Sequence, residues 1–233
     1  MSKLLSIESD PGGFSEVGTE LFNVEDTPLT KNDVELLRAL ALEIPREHIE
    51  VGDTGEECEL EVGRIMIDVT KATVVNHQYA EKILPIIAST EMAEWVATKT
   101  GHCGKLYVRR CAVNYMPKGA IIGAHDDGET NPDYLYFVVL HLGQEFAGGE
   151  FYSSHYQNKE PVEFNNKTKV CLSRCNLKHG VKRVTDGVRT VLIWFYADES
   201  APKINRRNYS SNPLPEKSAA ANGFGGLVKP DYK

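Results

Sequence analysis

From residue 105 onward the chain breaks into short runs of strand length, and this constrains its fold more than any other feature. Leu106–Tyr115, Tyr134–Leu142, Glu150–Ser153, Pro161–Phe164, Lys169–Leu172 and Arg189–Tyr196 read as strands, separated by clusters of Gly, Pro, Asn or Asp. Many short strands with long non-helical connections predict an antiparallel sandwich or jelly roll. Tyr134–Leu142 is apolar on both faces and is expected at the centre of the sheet.

The segment before it is helical in character. Thr30 is a candidate N-cap with Asp33 in the first turn, and Val34, Leu37, Leu40 and Ala41 recur on one helical face until Pro45 stops the run. Around Arg64–Val69 the residues Ile65, Ile67 and Val69 alternate like a strand. Residues 77–99 return to helical spacing. Pro85 predicts a kink or two helices, with Ser89 or Thr90 capping the second half and Met92, Trp95 and Val96 on one face. Helices first and a β-core after them give an α+β protein. The expected organisation is an arm over 1–28, packed loosely or as an added strand, and one domain over 29–200 with its β-core at about 105–197. Residues 201–233 form a tail, or a flap that brings Lys203, Arg206, Arg207 and Tyr209 over a site.

Charge and composition exclude several classes. Twenty-six basic residues against 33 acidic ones give a net charge near −7, a poor start for a nucleic-acid binder. The longest apolar stretch, Tyr134–Leu142, is far short of the roughly 20 residues of a membrane span. The start lacks an apolar signal core, and the five cysteines are an odd number. Reduced thiols and a cytoplasmic protein are expected.

The chemistry is concentrated in two places. His125-Asp126-Asp127 contains His-x-Asp, in which residues two apart point to the same side of an extended backbone. His179 follows and could complete a three-ligand face. Two imidazoles and one carboxylate leave three open positions on an octahedral ion, the arrangement of non-haem Fe(II) oxygenases. Ten residues after His179, beyond Gly187, Arg189 opens an apolar strand. A hairpin would return it beside the histidine, where a buried guanidinium needs an anion and fits a carboxylate with two parallel hydrogen bonds.

In these motifs the chain resembles the Fe(II)/2-oxoglutarate-dependent dioxygenase superfamily, in its prolyl-hydroxylase-like and small-molecule hydroxylase branches. The resemblance covers roughly 105–197. It rests on Asn114-Tyr115 with Gly119, His125-x-Asp127, Gly148-Gly149-Glu150-Phe151, and His179 with Gly187 and Arg189. It implies a double-stranded β-helix supported by the N-terminal helices, Fe(II) on His125, Asp127 and His179, and 2-oxoglutarate held through its far carboxylate by Arg189. O2 is the second co-substrate, with ascorbate as a supporting reductant. The family often carries a hydroxyl two residues after this arginine, but here that residue is Val191, so Tyr115, or else Tyr107 or Tyr136, is expected to supply it.

The implied reaction is hydroxylation of an unactivated C–H bond with release of succinate and carbon dioxide; Asp127 speaks against halogenation because a carboxylate blocks the halide position. A small-molecule substrate is expected, a free amino acid or natural-product intermediate, with no nucleic-acid or membrane partner. Arg109 is the candidate for a substrate carboxylate, and Asp126 and Glu129, with Asp133, for a cationic group. His141 reads as a hydrogen-bonded core histidine, and His155 as a loop residue. The alternatives are a peptidyl (prolyl-type) hydroxylase and a non-catalytic jelly-roll binding or sensing protein.

Overall fold

A computed structural model describes residues 5–7, 14–69, 71–143, 145–157, 161–164 and 170–198. The expected tail, with Lys203, Arg206, Arg207 and Tyr209, lies outside them. In chain order the elements are β1 (Leu5–Ile7), α1 (Phe14–Val17), β2 (Thr19–Phe22), α2 (Lys31–Glu43), β3 (Glu47–Val51), β4 (Glu57–Asp68), β5 (Ala72–Val74), α3 (His77–Ile87) and α4 (Thr90–Thr100). They continue with β6 (Tyr107–Pro117), β7 (Ile121–His125), α5 (Asp127–Thr130), β8 (Tyr136–His141), β9 (Phe146–Gly148), β10 (Phe151–Ser154), β11 (Pro161–Phe164), β12 (Val170–Arg174), β13 (His179–Val181) and β14 (Val184–Ala197).

The strands follow the order β1-β11-β10-β13-β7-β4-β6-β14-β8-β12-β2. Apart from the parallel β1–β11 pair, these pairings are antiparallel. β4 belongs to both halves: Cys58 and Glu59 pair with β7, and Glu61 to Met66 pair with β6. The sheet thereby curls into a nearly closed double-stranded β-helix. The β-core is wider than residues 105–197, because β4 stands between β6 and β7 and β2 extends the far edge on β12. The signal for β4 is present in the alternation of Cys58, Leu60 and Val62 with Glu57, Glu59 and Glu61.

Strand alternation divides the long sheet into two faces. Tyr136, Val138 and Leu140 on β8 and Leu192, Trp194 and Tyr196 on β14 meet Leu37 and Ala41 of α2, Ile83 and Ile87 of α3, and Met92 and Val96 of α4. The opposite residues, Phe137 and Val139 with Val191, Ile193 and Phe195, face the barrel interior. Each large apolar side chain buried this way contributes about 1.5–3 kcal/mol.

The helices are delimited as their caps predict. Thr30 and Asp33 form a reciprocal capping box on α2, and the Ser89 side chain accepts a hydrogen bond from Met92 N at the start of α4. Pro85 lies within α3, and the chain forms two helices rather than one. The cysteines at 58, 103, 111, 171 and 175 are all free thiols. Burial pushes Cys58 and Cys171 up to about 12. Among the described residues no helix is long and apolar enough to cross a membrane.

Candidate active site

β7 and β13 run antiparallel with His125 directly opposite His179, and the two rings lie 4.3 Å apart between centroids. Each imidazole is fixed in the same way. His125 Nδ1 is 2.9 Å from Gly123 O, and His179 Nδ1 is 2.8 Å from Leu177 O. A carbonyl only accepts, so Nδ1 carries the proton and Nε2 presents a lone pair. Asp127 begins α5 immediately after β7. Asp126 caps that turn, its Oδ1 accepting from Gly128 N at 2.8 Å, which directs Asp127 inward and Asp126 away. Asp127 Oδ1 lies 3.8 Å from His125 Nε2 and Oδ2 lies 3.3 Å from His179 Nε2.

One ligand atom from each of the three residues falls within a span of 4.8 Å. Donors about 2.1 Å from a common ion lie roughly 3–4 Å apart, so the set fits a divalent metal. Its electrostatics say the same. Burial acts to raise the Asp127 carboxyl, but His179 and His125 outweigh it and hold the group below the usual carboxylate range. Burial acts to lower His179, and Asp127 outweighs it and raises the imidazole, so a cation bound at this site competes with a proton.

Arg189 stands on the inward face of β14, opposite Met116. It is 2% exposed, and its Nη1 lies 3.2 Å from Met116 Sδ. Its buried Nε has no hydrogen-bond partner, and no carboxylate pairs with the guanidinium among the described residues. Burial pulls it down to about 10. Two tight turns bring the backbone against it. Gly187 turns at φ +70°, and Gly149, at φ +66°, approaches so closely that a Cβ there would sit 3.1 Å from Arg189 Cδ. His141, on the same face of β8, has a buried Nε2 without a partner, and burial followed by the Arg189 charge keeps it well below the usual imidazole range. A cavity of about 120 Å³ lies inside the barrel, lined by His125, Asp127, His179 and Arg189 together.

A crystal structure of an oxidoreductase of the 2OG-Fe(II) oxygenase family from Burkholderia pseudomallei matches with a TM-score of 0.77 and 30% identity, over 88% of this chain and 99% of that one. The chain belongs to the 2OG-Fe(II) oxygenase family. The fold recurs in EctD from S. alaskensis, solved with 2-oxoglutarate and 5-hydroxyectoine (TM-score 0.58, 13% identity, 88% of this chain and 80% of that one). It recurs again in a Pseudomonas putida prolyl-4-hydroxylase (TM-score 0.53, 15% identity, 80% and 95%). No protein-family model matches the sequence, and no curated protein does.

Within this oxygenase the remaining candidates lie away from the cavity. Arg109 is fully buried on the helix-facing side of β6, its Nη2 2.6 Å from Asp68 and its Nη1 3.1 Å from Asp133, so carboxylates of the chain itself engage it outside the cavity. Tyr115 shares that face, under the guanidinium of Arg46 at 4.1 Å. Tyr136 packs among the helices, and Tyr107 is exposed. None of the three tyrosines lines the cavity, and Val191 does. Asp126 is engaged as a cap, and Glu129 is exposed. His155 Nδ1 accepts from Gln157 N within its own turn.

Sequence reasoning missed five charged or amide residues of the cavity: Arg110 and Asn114 on β6, Arg64 on β4, and Asp53 and Glu56 between β3 and β4. For the pair on β6 the structure shows why. Opposed residues of an antiparallel pair share a face, so Arg189 opposite Met116 puts Asn114 and Arg110 inside. That pairing is not written in the sequence.

Proposed function

We propose that this oxygenase hydroxylates an unactivated C–H bond of a small molecule, a free amino acid or natural-product intermediate, with release of succinate and carbon dioxide. The observation that carries the reading is the pairing of a vacant cationic end, Arg189, with a cation-seeking triad in one cavity. Neither half is electrostatically complete: the triad needs a metal ion, and Arg189 needs an anion that reaches from it toward that ion. Fe(II) and 2-oxoglutarate meet both needs. Bound iron supplies the activation of dioxygen coupled to decarboxylation of the keto acid.

The chain's own residues orient and exclude. The carbonyls of Gly123 and Leu177 hold both imidazoles with Nε2 toward the ion. Asp127 lowers the charge at the ion and leaves the remaining positions open. Arg189 fixes the far carboxylate of 2-oxoglutarate, with the neutral His141 beside it. Phe137 and Phe151 pack against the His179 ring at 4.9 and 5.7 Å and keep bulk water from that side. The modest cavity, closed by the β3–β4 hairpin, supports a small substrate rather than a peptide.

Anaerobic addition of Fe(II) and then 2-oxoglutarate should produce a weak visible charge-transfer band, followed in air by stoichiometric succinate. Metal binding without a band and without succinate would end this reading.

A further inference from the structure

We propose that the Arg110–Asp53 ion pair at the cavity mouth is the recognition subsite for a zwitterionic substrate, Arg110 receiving its carboxylate and Asp53 its ammonium. The inference rests on the reading above and names the substrate class for that cavity.

Arg110 and Asp53 both line the same cavity as Asp127. Arg110 Nη1 lies 2.8 Å from Asp53 Oδ2, and the guanidinium sits 5.4 Å over the ring of Phe195. Neither partner is sealed: their side chains retain 23% and 14% exposure, whereas that of the neighbouring Arg109 retains none.

Asp53 rides on the turn between β3 and β4, closed by Gly52 N to Glu56 O and by Gly55 N to Gly52 O, both at 3.0 Å. Glu56 braces the turn by accepting from Thr54 N and Oγ1. Gly55, at φ +86°, has open space around it. The turn is therefore a compact unit, and a modest shift of it separates Asp53 from Arg110 without disturbing the strands.

Charge balance selects the ligand. A substrate with only an anionic group would displace Asp53 and leave its carboxylate unpaired. One with only a cationic group would strand Arg110. A molecule bearing both inserts between them, so each half-buried charge exchanges one partner for another and none is left uncompensated. The walls beyond the pair are apolar, including Ile49, Leu60, Ile193 and Phe195, and suit the aliphatic body of such a molecule.

The test is calorimetric titration of the full chain, without oxygen, with Fe(II) and 2-oxoglutarate present. The probes are a panel of free amino acids with aliphatic or basic side chains, each alongside its methyl ester and its N-acetyl derivative. The expected result is that at least one free amino acid binds, and that its ester and its N-acetyl derivative each bind at least tenfold more weakly. Arg110→Gln should abolish the preference for acid over ester, and Asp53→Asn the preference for amine over N-acetyl. Both variants should retain the metal–2-oxoglutarate band of the parent. The proposal is overturned if derivatives bind as well as their parents, if the variants keep both preferences, or if no amino acid of the panel binds. Loss of the charge-transfer band with amino-acid binding intact would instead break the oxygenase reading and leave the subsite standing.

Discussion

Arg109 and Arg189 occupy opposite faces of one sheet, both out of reach of water, and differ in what neutralises them. On the helix-facing side Arg109 meets Asp68 and Asp133, supplied by the chain itself. On the barrel side Arg189 meets the Met116 thioether and lines the cavity that the triad also lines. A charge placed for stability is built together with its counter-charge. A charge placed for binding is left short of one, and its site selects the ligand by what is missing. The triad repeats the logic with the opposite sign: two imidazole nitrogens and a carboxylate converge within 4.8 Å of one another.

The largest test of this contrast is on the triad. Asp127→Ala should lower iron affinity and succinate formation by more than about 100-fold, beyond the 10–100-fold typical of residues that only support a ligand. Iron titration and a succinate assay read it directly, and an unaffected iron affinity would remove Asp127 from the metal site. Next come the two arginines. Arg109→Met should cost about 3–5 kcal/mol in urea unfolding, because two buried carboxylates lose their partner. Arg189→Met should leave the unfolding free energy of the ligand-free protein unchanged or raised, while weakening 2-oxoglutarate binding by about 2–5 kcal/mol. Equal destabilisation by both substitutions would erase the difference between the faces.

Smaller effects sharpen the picture. Gly149→Ala should destabilise by about 1–2 kcal/mol, since a Cβ is strained at positive φ, and should also weaken 2-oxoglutarate binding through Arg189. His141 supplies a pH signature. Its folded pKa lies below the unfolded value of about 6.5, so the unfolded chain takes up this proton first as the pH falls. Its neutral form therefore costs nothing above about pH 6.5, and stability drops below that by at most about 1.4 kcal/mol per pH unit. In denaturant unfolding between pH 7 and 5, His141→Phe should flatten that slope relative to the parent. An unchanged slope would show that His141 takes up its proton equally in both states.

The candidate metal triad and the buried Arg189 were legible in the sequence because each is a chemically uncommon residue in an apolar setting, spaced by glycine turns that bring strand ends together. The helices were legible through their caps. The direction of β6 was not. The set Arg109, Cys111, Val113 and Tyr115 does share one face, but both faces of β6 are buried, one under helices and the other in the barrel. Alternation separates two such faces without saying which is inside. The structure sets Arg109 and Tyr115 outside the cavity, with Arg110 and Asn114 on its wall. Asp126 and Glu129 lie off the cavity for a different reason: one turn of helix after β7 carries Asp127 inward and directs its acidic neighbours to capping and to solvent.

β4 is shared by the two halves of the barrel, and the turn that carries Asp53 hangs from its leading end. The frame that holds the triad is thus clamped from both sides, while Asp53 and Glu56 line the cavity from beyond it. Changing Asp53 alone would alter the charge that the turn presents to the cavity, whereas changing Glu56, 3.7 Å from His125 Nδ1, would reach the metal's cradle as well.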